Sequence, residues 1–368
     1  MTMVRSPSPS SRAARREGWR LTAPNELEWF EDTVAAPRSG EVVIRVAGCG
    51  LCHTDVGYFA EGIRPRQPLP LVLGHEISGF VVAAGCQSEH WVGRAVVVPA
   101  VTPCGHCADC DSGQGAICTK QFMPGNDGDG GFASYATVPA RGLCEVPNCQ
   151  SPDQPLGRSG VTLRHLAVLA DAVSTAWQAI QHAKLAPGGV AVIIGAGGVG
   201  GYALQLAKAI GAHTVAVDIS ATRRNTALGA DLTFDPATPG VRNQIRAAAT
   251  ERGWPQTRWR IFECSGKPEG QCTAFDLLNP GATLIVVGFT RAPISVRLAN
   301  LMAFDATARG TWGCLPEHYP QLVQMALDGS IDLRTNTELR PLSDLPTTLA
   351  ALHQGTLAAR VVLFPENG

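Results

Sequence analysis

The chain has 368 residues, of which 45% are hydrophobic and 17% are charged, and its formal net charge is −1. This balance gives no reason to expect nucleic acid or an anionic membrane as a partner, and no apolar run approaches the ~20 residues of a membrane span. The length predicts a globular protein of roughly two domains.

The first segment, residues 1–18, is rich in Ser, Pro and Arg and contains a single acid, Glu17. We expect a flexible tail here, although an Arg- and Ser-rich, acid-poor stretch is also typical of a transit peptide. Residues 19–147 carry short Val- and Ile-rich runs between Gly and Pro, which predict a mostly antiparallel β domain. The predicted strands lie in residues 41–50, 77–85, 93–100 and 131–139.

A compact cysteine motif lies within this β domain. Its members are Cys104, Cys107, Cys110 and Cys118. Four closely spaced thiolates can enclose one tetrahedral zinc ion, and a site with four protein ligands is structural. An iron–sulfur cluster has an overlapping spacing but lacks other ferredoxin features here. The other cysteines are scattered, so we expect free thiols in a reducing cytoplasm rather than a disulfide framework.

The second half of the chain alternates between predicted helices and strands. A helical stretch over 163–183 is followed by buried strands in residues 190–195, 213–218, 259–266 and 283–289. This alternation predicts an α/β, doubly wound parallel sheet. Two further helices, over 318–329 and near 346–354, precede a last strand over 359–365.

The domain organisation follows from these patterns. We expect a β domain over residues 1–173 and a parallel-sheet domain over 174–313. A C-terminal segment, 314–368, is expected to return to the β domain. The cleft between two such bodies suits a cofactor and a small-molecule substrate.

The strongest pattern in the second domain is a strand, a glycine-rich turn and a helix start, in VAVIIGAGGVGG. The glycines are Gly195, Gly197, Gly198 and Gly200. Backbone N–H groups and the helix dipole favour a pyrophosphate there, and Asp218 follows at the spacing of a ribose-binding acid. Asp218 favours NAD over NADP, whereas the nearby Arg223 and Arg224 weaken that argument. Both arginines are candidates for contact with the adenine or for capping the following helix, and Arg223 is taken as a cofactor-binding residue. The alternative is a turn that only lets helix and strand pack.

Together these motifs resemble the zinc-dependent medium-chain alcohol dehydrogenases over roughly residues 19–365. The residues that carry the resemblance are GLCHTD at 50–55, GHE at 74–76, the four-cysteine motif, VSTAW at 173–177, GAGGVG at 195–200 and Asp218. The resemblance implies a Rossmann domain, a GroES-like catalytic domain with a four-cysteine zinc lobe, NAD, and two zinc ions per chain, one catalytic and one structural. It also implies a homo-oligomer, either a dimer or a tetramer.

The resemblance assigns a catalytic zinc site. Cys52 and His75 match two ligands, and Asp55 matches a carboxylate behind the histidine that orients the imidazole. Many members have a third cysteine ligand where this chain has Asp171, and a carboxylate is an acceptable replacement. Alternatively, Glu76 is the third ligand and Asp171 holds a water molecule, or Asp171 only caps a helix and the site has lost its metal.

The resemblance also assigns the proton and cofactor contacts. Thr54 matches the hydroxyl residue that takes the substrate proton, and Arg360 matches a basic residue that contacts the pyrophosphate. The usual relay histidine is replaced by Gly57, so a relay must pass through the nicotinamide ribose and water or through His53. His53 could instead bind the pyrophosphate.

The implied reaction is oxidation of a secondary alcohol to a ketone. Residues 18–79 and 121–133 are most similar to members that act on a cyclic hydroxyacyl-CoA, and Arg64 and Arg66 are candidate contacts for its phosphates. The alternatives are a general secondary-alcohol or polyol dehydrogenase, a zinc-independent enoyl or quinone reductase, and a non-catalytic structural or redox-sensing protein.

Overall fold

A computed structural model describes residues 14–366, and the first part of this range consists mainly of short strands. They are β1 (Arg15–Ala23), β2 (Glu26–Thr33), β3 (Glu41–Gly50), β4 (Glu76–Ala84), β5 (Ala95–Val98), β6 (Tyr135–Pro139) and β7 (Cys144–Glu145). Two short helices, α1 (His53–Phe59) and α2 (Ala108–Asp111), lie between them. The four predicted strands are confirmed as β3 to β6.

The flexible tail expected over residues 1–18 ends earlier than predicted, because β1 already begins at Arg15. This strand pairs with β2 in an antiparallel hairpin. The N–H of Trp19 donates a hydrogen bond to the carbonyl oxygen of Phe132 over 2.9 Å. The backbones approach so closely that a Cβ atom on Gly18 would lie 2.5 Å from the same oxygen. These backbone hydrogen bonds order the segment. Residues 1–13, the rest of the predicted tail, lie outside the described residues.

The helical stretch expected over 163–183 is divided at Asp171. A 3-10 helix (His165–Ala170) precedes it, and α3 (Ala172–Ala183) follows. Asp171 itself has φ −136° and ψ −62°, which is not helical. Asp171 therefore stands at the start of a new helix instead of inside a continuous one.

The alternating region forms a parallel sheet covered by helices. Its strands are β8 (Val190–Ile194), β9 (His213–Val217), β10 (Leu232–Phe234), β11 (Arg260–Glu263), β12 (Thr283–Val286) and β13 (Thr307–Gly310). Its helices are α4 (Gly198–Ile210), α5 (Ala221–Asn225), α6 (Val241–Glu251), α7 (Pro268–Asp276) and α8 (Ala299–Ala303). The strand order β10-β9-β8-β11-β12-β13 confirms the predicted doubly wound sheet and places its switch point between β8 and β11.

The chain then returns to the first sheet. The last elements are α9 (Tyr319–Asp328), β14 (Thr337–Pro341), α10 (Leu345–His353) and β15 (Arg360–Phe364). Strand β15 pairs antiparallel with β3, which gives a seven-stranded sheet in the order β14-β15-β3-β4-β5-β7, with β6 also on β3. The domain limits at 173 and 313 stay a prediction. Across residues 14–366, every helix falls short of the length and apolar character needed to cross a bilayer.

Candidate active site

The four cysteines of the predicted lobe converge on one point. The Sγ atom of Cys110 lies 3.8 Å from that of Cys104 and 3.5 Å from that of Cys107, and Cys107 lies 3.7 Å from Cys118. A zinc ion bound tetrahedrally at about 2.3 Å from each thiolate would separate the sulfurs by about 3.8 Å. All 12 cysteines of the chain are free thiols. The lobe therefore fits a closed zinc site.

A second set of donor atoms comes from three distant parts of the chain. The Oδ2 atom of Asp171 lies 3.5 Å from the Sγ of Cys52 and 3.4 Å from the Nε2 of His75. Around a tetrahedral zinc ion, a thiolate and a carboxylate oxygen would be about 3.6 Å apart, and a ring nitrogen and that oxygen about 3.4 Å. His75 Nε2 is buried without a hydrogen-bond partner. The three donors thus fit one zinc ion.

The charges around His75 favour a cation at this point. Burial alone would favour a neutral ring, but the carboxylates of Asp55 and Asp171 hold the pKa of His75 well above its usual range. Burial likewise opposes the charge of Asp171, yet the contact with His75 keeps the pKa of Asp171 below its usual range. A divalent ion at this point would be attracted by the same carboxylates, those of Asp55 and Asp171.

Asp55 joins the two backbone segments that carry Cys52 and His75. Its Oδ2 accepts a hydrogen bond from the N–H of Cys52 over 2.9 Å, and its Oδ1 accepts one from the N–H of Gly74 over 3.2 Å. The same Oδ1 lies 3.6 Å from His75 Nδ1. Asp55 is buried and sits three residues into the start of α1. It therefore orients both donors at once.

Glu76 belongs to the same cluster, but its carboxylate is held by Arg360. The four donor atoms of Cys52, His75, Glu76 and Asp171 lie within 4.8 Å of one another. Glu76 is fully buried, and Arg360 donates to both of its oxygens, from Nε over 3.2 Å and from Nη2. Burial opposes the charge of Arg360, but Glu76 raises the pKa of its guanidinium, so Arg360 stays charged.

Arg360 also reaches the glycine-rich turn. Its Nη1 lies 3.1 Å from the point where a Cβ of Gly198 would stand. The side chain therefore spans the gap between the metal-type cluster and the start of α4. Arg360 therefore contacts both the metal-type cluster and the glycine-rich turn.

The glycines of the turn have two different functions. Gly195 has φ +88°, and a Cβ there would lie 2.7 Å from the Cα of Ser265; a Cβ on Gly200 would lie 1.8 Å from the Gly195 oxygen. These two glycines allow the close packing of turn, helix and neighbouring strand. Gly197 instead faces Arg223, whose guanidinium carbon lies 3.7 Å from the site of the missing Cβ.

Asp218 follows β9 and holds the turn beside it. Its Oδ2 accepts a hydrogen bond from the N–H of Ala196 over 2.8 Å, and its Oδ1 accepts one from Ser220 over 2.8 Å. Arg224 does not face the turn, because it donates to the Asp218 carbonyl oxygen over 2.6 Å and pairs with Asp235. The carboxylate of Asp218 is therefore bonded to the glycine-rich turn, and the guanidinium of Arg223 lies close to the same turn at Gly197.

His53 and Thr54 are the first residues of α1, directly after Cys52. Thr54 Oγ1 is 3.7 Å from the Sγ of Cys52. Desolvation, together with the nearby charges of Arg360, Lys267 and Arg223, lowers the pKa of His53 to about 4. The ring is therefore neutral near pH 7, and three cationic side chains lie near it. Such surroundings fit a pyrophosphate.

Position 57 carries no relay side chain, and the Ile63 side chain lies over it. Gly57 is buried, and a Cβ there would lie 2.8 Å from the Cδ1 of Ile63. Of the two loop arginines, Arg66 pairs with Asp127 over 3.2 Å. Arg64 is exposed at the same loop.

Two residues near the site were not predicted from the sequence. Thr175 donates a hydrogen bond from Oγ1 to the Oδ1 of Asp171 over 2.6 Å. Its signal was the spacing of four residues, which brings side chains together on a helix. Lys267, which lies near enough to His53 to lower its pKa, had no such signal because it follows a different strand.

Comparison with known proteins agrees with this architecture. Two family descriptions match: "Alcohol dehydrogenase GroES-like domain" over residues 38–148 and "Zinc-binding dehydrogenase" over residues 198–328. An alcohol dehydrogenase from Geobacillus stearothermophilus is 30% identical over 343 residues, covering 88% of this chain and 91% of that protein. L-galactonate-5-dehydrogenase from Escherichia coli K12 is 28% identical over 312 residues, covering 84% and 86%.

A solved structure shares the whole fold. It is described as a short chain alcohol dehydrogenase (rspB) from E. coli CFT073 complexed with NADH, and it superposes with a TM-score of 0.81. The identity is 22%, over 95% of this chain and 99% of that one. The predicted combination of a GroES-like β domain with a Rossmann-type sheet is confirmed.

Proposed function

Because the chain belongs to the zinc-binding medium-chain alcohol dehydrogenase family, we propose that it oxidises a secondary alcohol to a ketone with NAD⁺. The observation that carries the proposal is the convergence of the Cys52, His75 and Asp171 donor atoms. Arg360, which is bonded to Glu76 in the same cluster, also contacts the glycine-rich turn. A zinc-independent reductase has no use for these donors.

The proposed catalytic zinc ligands are Cys52, His75 and Asp171. Glu76 is the less suitable third ligand, because both of its oxygens are bonded to Arg360. Asp171 directs one oxygen at the other two donors. Two anionic ligands and a neutral histidine balance the charge of Zn²⁺, and a three-ligand site leaves one position for substrate. The four-cysteine lobe would hold the second, structural zinc.

When bound, zinc supplies a Lewis acid for the alcohol oxygen and NAD⁺ supplies the hydride acceptor. The chain itself handles the proton. The Oγ1 of Thr54 lies 3.7 Å from the sulfur of Cys52, a proposed zinc ligand. Thr54 therefore takes the hydroxyl proton of the substrate on this oxygen. The products are the ketone, NADH and one proton.

The proton leaves Thr54 by one of two routes. Ile63 covers Gly57, so a route through position 57 has no side chain to carry it. The remaining routes pass through the cofactor ribose and water, or through His53, which is neutral near pH 7 because its pKa is lowered to about 4.

We favour NAD over NADP as the cofactor. The carboxylate of Asp218 stands beside the turn, bonded to Ala196, where its charge opposes a ribose phosphate. Arg223, Arg360 and the uncharged His53 would face the pyrophosphate. NADP-dependent turnover exceeding NAD-dependent turnover would overturn this assignment.

The finer proposal for the substrate is 6-hydroxycyclohex-1-ene-1-carbonyl-CoA, oxidised to the 6-oxo compound in anaerobic benzoyl-CoA degradation. It rests on the resemblance of residues 18–79 and 121–133. Arg64, exposed near the end of α1, is the better candidate for a CoA phosphate, because Arg66 is paired with Asp127. A general secondary-alcohol or polyol dehydrogenase fits the same site equally well.

The deciding experiment is an NAD-coupled assay on protein with measured zinc content. Cyclic hydroxyacyl-CoA thioesters are compared with small secondary alcohols and sugar alcohols. We expect two zinc ions per chain and NADH formation with at least one class. Turnover of free alcohols but not thioesters would reject the finer proposal, and Arg64→Glu would then leave every KM unchanged. Zinc at the lobe only, without NADH binding, would reject the dehydrogenase itself.

We also propose a homo-oligomer that uses the edge of the six-stranded sheet. Strand β13 ends that sheet within residues 14–366, and all its residues are exposed. Nearby, Met302 is 79% exposed, Leu298 68% and Trp312 50%. An exposed strand edge beside large apolar side chains is typical of a protein interface.

A further inference from the structure

The two carboxylate oxygens of Asp171 have different partners. Oδ2 lies 3.5 Å from the Sγ of Cys52 and 3.4 Å from the Nε2 of His75. Oδ1 accepts a short hydrogen bond, 2.6 Å, from the Oγ1 of Thr175. The carboxylate is thus turned so that one oxygen faces the other donors and one is occupied by a hydroxyl.

From this geometry we propose that Thr175 is a positioning residue that makes Asp171 a one-oxygen ligand and keeps the fourth coordination position free for substrate. The inference rests on the proposed function, since it takes Asp171 as a zinc ligand. A carboxylate can bind a metal through one oxygen or both. The hydrogen bond from Thr175 competes for the second oxygen and restrains rotation of the carboxylate.

The backbone of Asp171 is held independently of this hydroxyl. The N–H of Thr175 donates to the Asp171 carbonyl oxygen over 2.7 Å. Tyr319 and Ser174 both donate to the carbonyl oxygen of Ala170, over 2.6 Å and 3.1 Å. Removing the Thr175 hydroxyl therefore leaves the start of α3 in place and frees only the carboxylate.

Loss of the Thr175 hydroxyl is expected to change metal binding directly, and the reaction only as a result. Without the hydroxyl, the Asp171 carboxylate loses its orientation for the metal and gains access to a second coordination bond. Loss of a hydrogen bond to a ligand typically costs about 10- to 100-fold in metal affinity or activity. A higher coordination number would fill the position that substrate needs.

The test compares Thr175→Val with Thr175→Ser, since valine keeps the shape and serine keeps the hydroxyl. Thr250→Val is the matched control. It removes a threonine hydroxyl that donates to a helix carbonyl oxygen, that of Arg246, in α6 instead of at the metal-type cluster. Three quantities are measured on the full chain: zinc per chain, the dissociation constant of the catalytic metal by chelator competition, and the visible absorption of the cobalt-substituted protein.

We expect Thr175→Val to bind the catalytic metal about 10- to 100-fold more weakly and to show weaker cobalt absorption, as a higher coordination number produces. Thr175→Ser should restore both. Unchanged affinity and spectrum in Thr175→Val would overturn the inference while leaving the proposed function intact. Wild-type protein with metal at the lobe alone would overturn the proposed function first.

Discussion

Thr54 is the residue whose hydroxyl the proposed reaction requires. We expect Thr54→Val to lower kcat about 100-fold or more, because general acid–base groups typically contribute that much. Zinc content and NADH affinity should stay unchanged, since Thr54 is not a donor in the metal cluster. Steady-state kinetics with zinc analysis would check this. Thr54→Ser, which keeps the hydroxyl, should retain most of the activity; wild-type turnover in the valine variant would refute the assignment.

Two neighbouring glycines in the first turn of α4, Gly200 and Gly201, differ in the space around them. A Cβ on Gly200 would lie 1.8 Å from the Gly195 oxygen, whereas one on Gly201 would lie 3.5 Å from the Ala196 oxygen. Gly200→Ala should therefore destabilise the chain by about 1–3 kcal/mol through overpacking and weaken NADH binding. Gly201→Ala is the control. Equal melting temperatures for the two variants would contradict this account of the turn.

At the scale of elements, Asp231 connects helix α4 to strands β9 and β10. It accepts hydrogen bonds from the N–H and Oγ1 of Thr214, over 2.9 Å and 3.1 Å, and pairs with Lys208. Burial opposes its charge, but these partners hold the pKa of Asp231 below the ordinary 3.8. The ionised carboxylate is therefore favoured in the folded state.

The lowered pKa of Asp231 gives a pH-dependent stability. Its contribution is complete above the pH at which the unfolded group ionises and is lost as the pH falls through the lower, folded pKa. Asp231→Asn should lower the melting temperature near pH 7, and the difference from wild type should shrink below about pH 4. Asp276→Asn, at an exposed position in α7, is the control. A difference that stays constant down to pH 3 would contradict the charge-based explanation.

The elements themselves were predictable where one face or both faces are buried. Strand β8 is buried at every residue and was predicted within one residue. Strand β13 was not predicted. It is exposed at every residue, so its sequence lacks the apolar pattern from which a strand is predicted. The break at Asp171 was predicted only in the alternative in which this residue caps a helix, since the apolar residues on both sides continue as if in one helix.

At the scale of the molecule, the Glu76–Arg360 pair joins β4 to β15 and to the glycine-rich turn. Breaking a buried ion pair by removing one partner typically costs about 3–5 kcal/mol, because the other charge is left unpaired. Arg360→Gln should therefore destabilise the chain and weaken NADH binding.

A double variant separates these two effects. Glu76→Gln/Arg360→Gln should regain most of the lost stability, since no buried charge is left unpaired, but it should not regain NADH affinity. Thermal unfolding and NADH fluorescence titration measure the two quantities. If the double variant binds NADH as tightly as wild type, Arg360 has no part in cofactor binding.

The exposed apolar residues beside β13 predict assembly. Sedimentation velocity should show a dimer or tetramer, and Leu298→Glu/Met302→Glu should shift it to a smaller species without changing the secondary structure seen by circular dichroism. Val92→Glu, which alters a valine that is 50% exposed elsewhere, is the matched control. A wild-type monomer at micromolar concentration would reject this interface.

The four-cysteine lobe and the glycine-rich turn could be predicted from the sequence because their geometry is local. Cys104 to Cys118 lie in one short segment, and the turn joins a strand directly to the next helix. In such segments, residue spacing nearly determines where side chains and backbone groups point. The order of strands and helices likewise indicated the parallel sheet.

The catalytic cluster required the folded chain. Cys52 and Asp171 are 119 residues apart, and Glu76 and Arg360 are 284 apart. No spacing rule connects such residues, because their separation is set by the pairing of β15 with β3 and by the break before α3. Resemblance could name the candidates, but only the packed sheets decide which Asp171 oxygen faces the metal site and which one Thr175 holds.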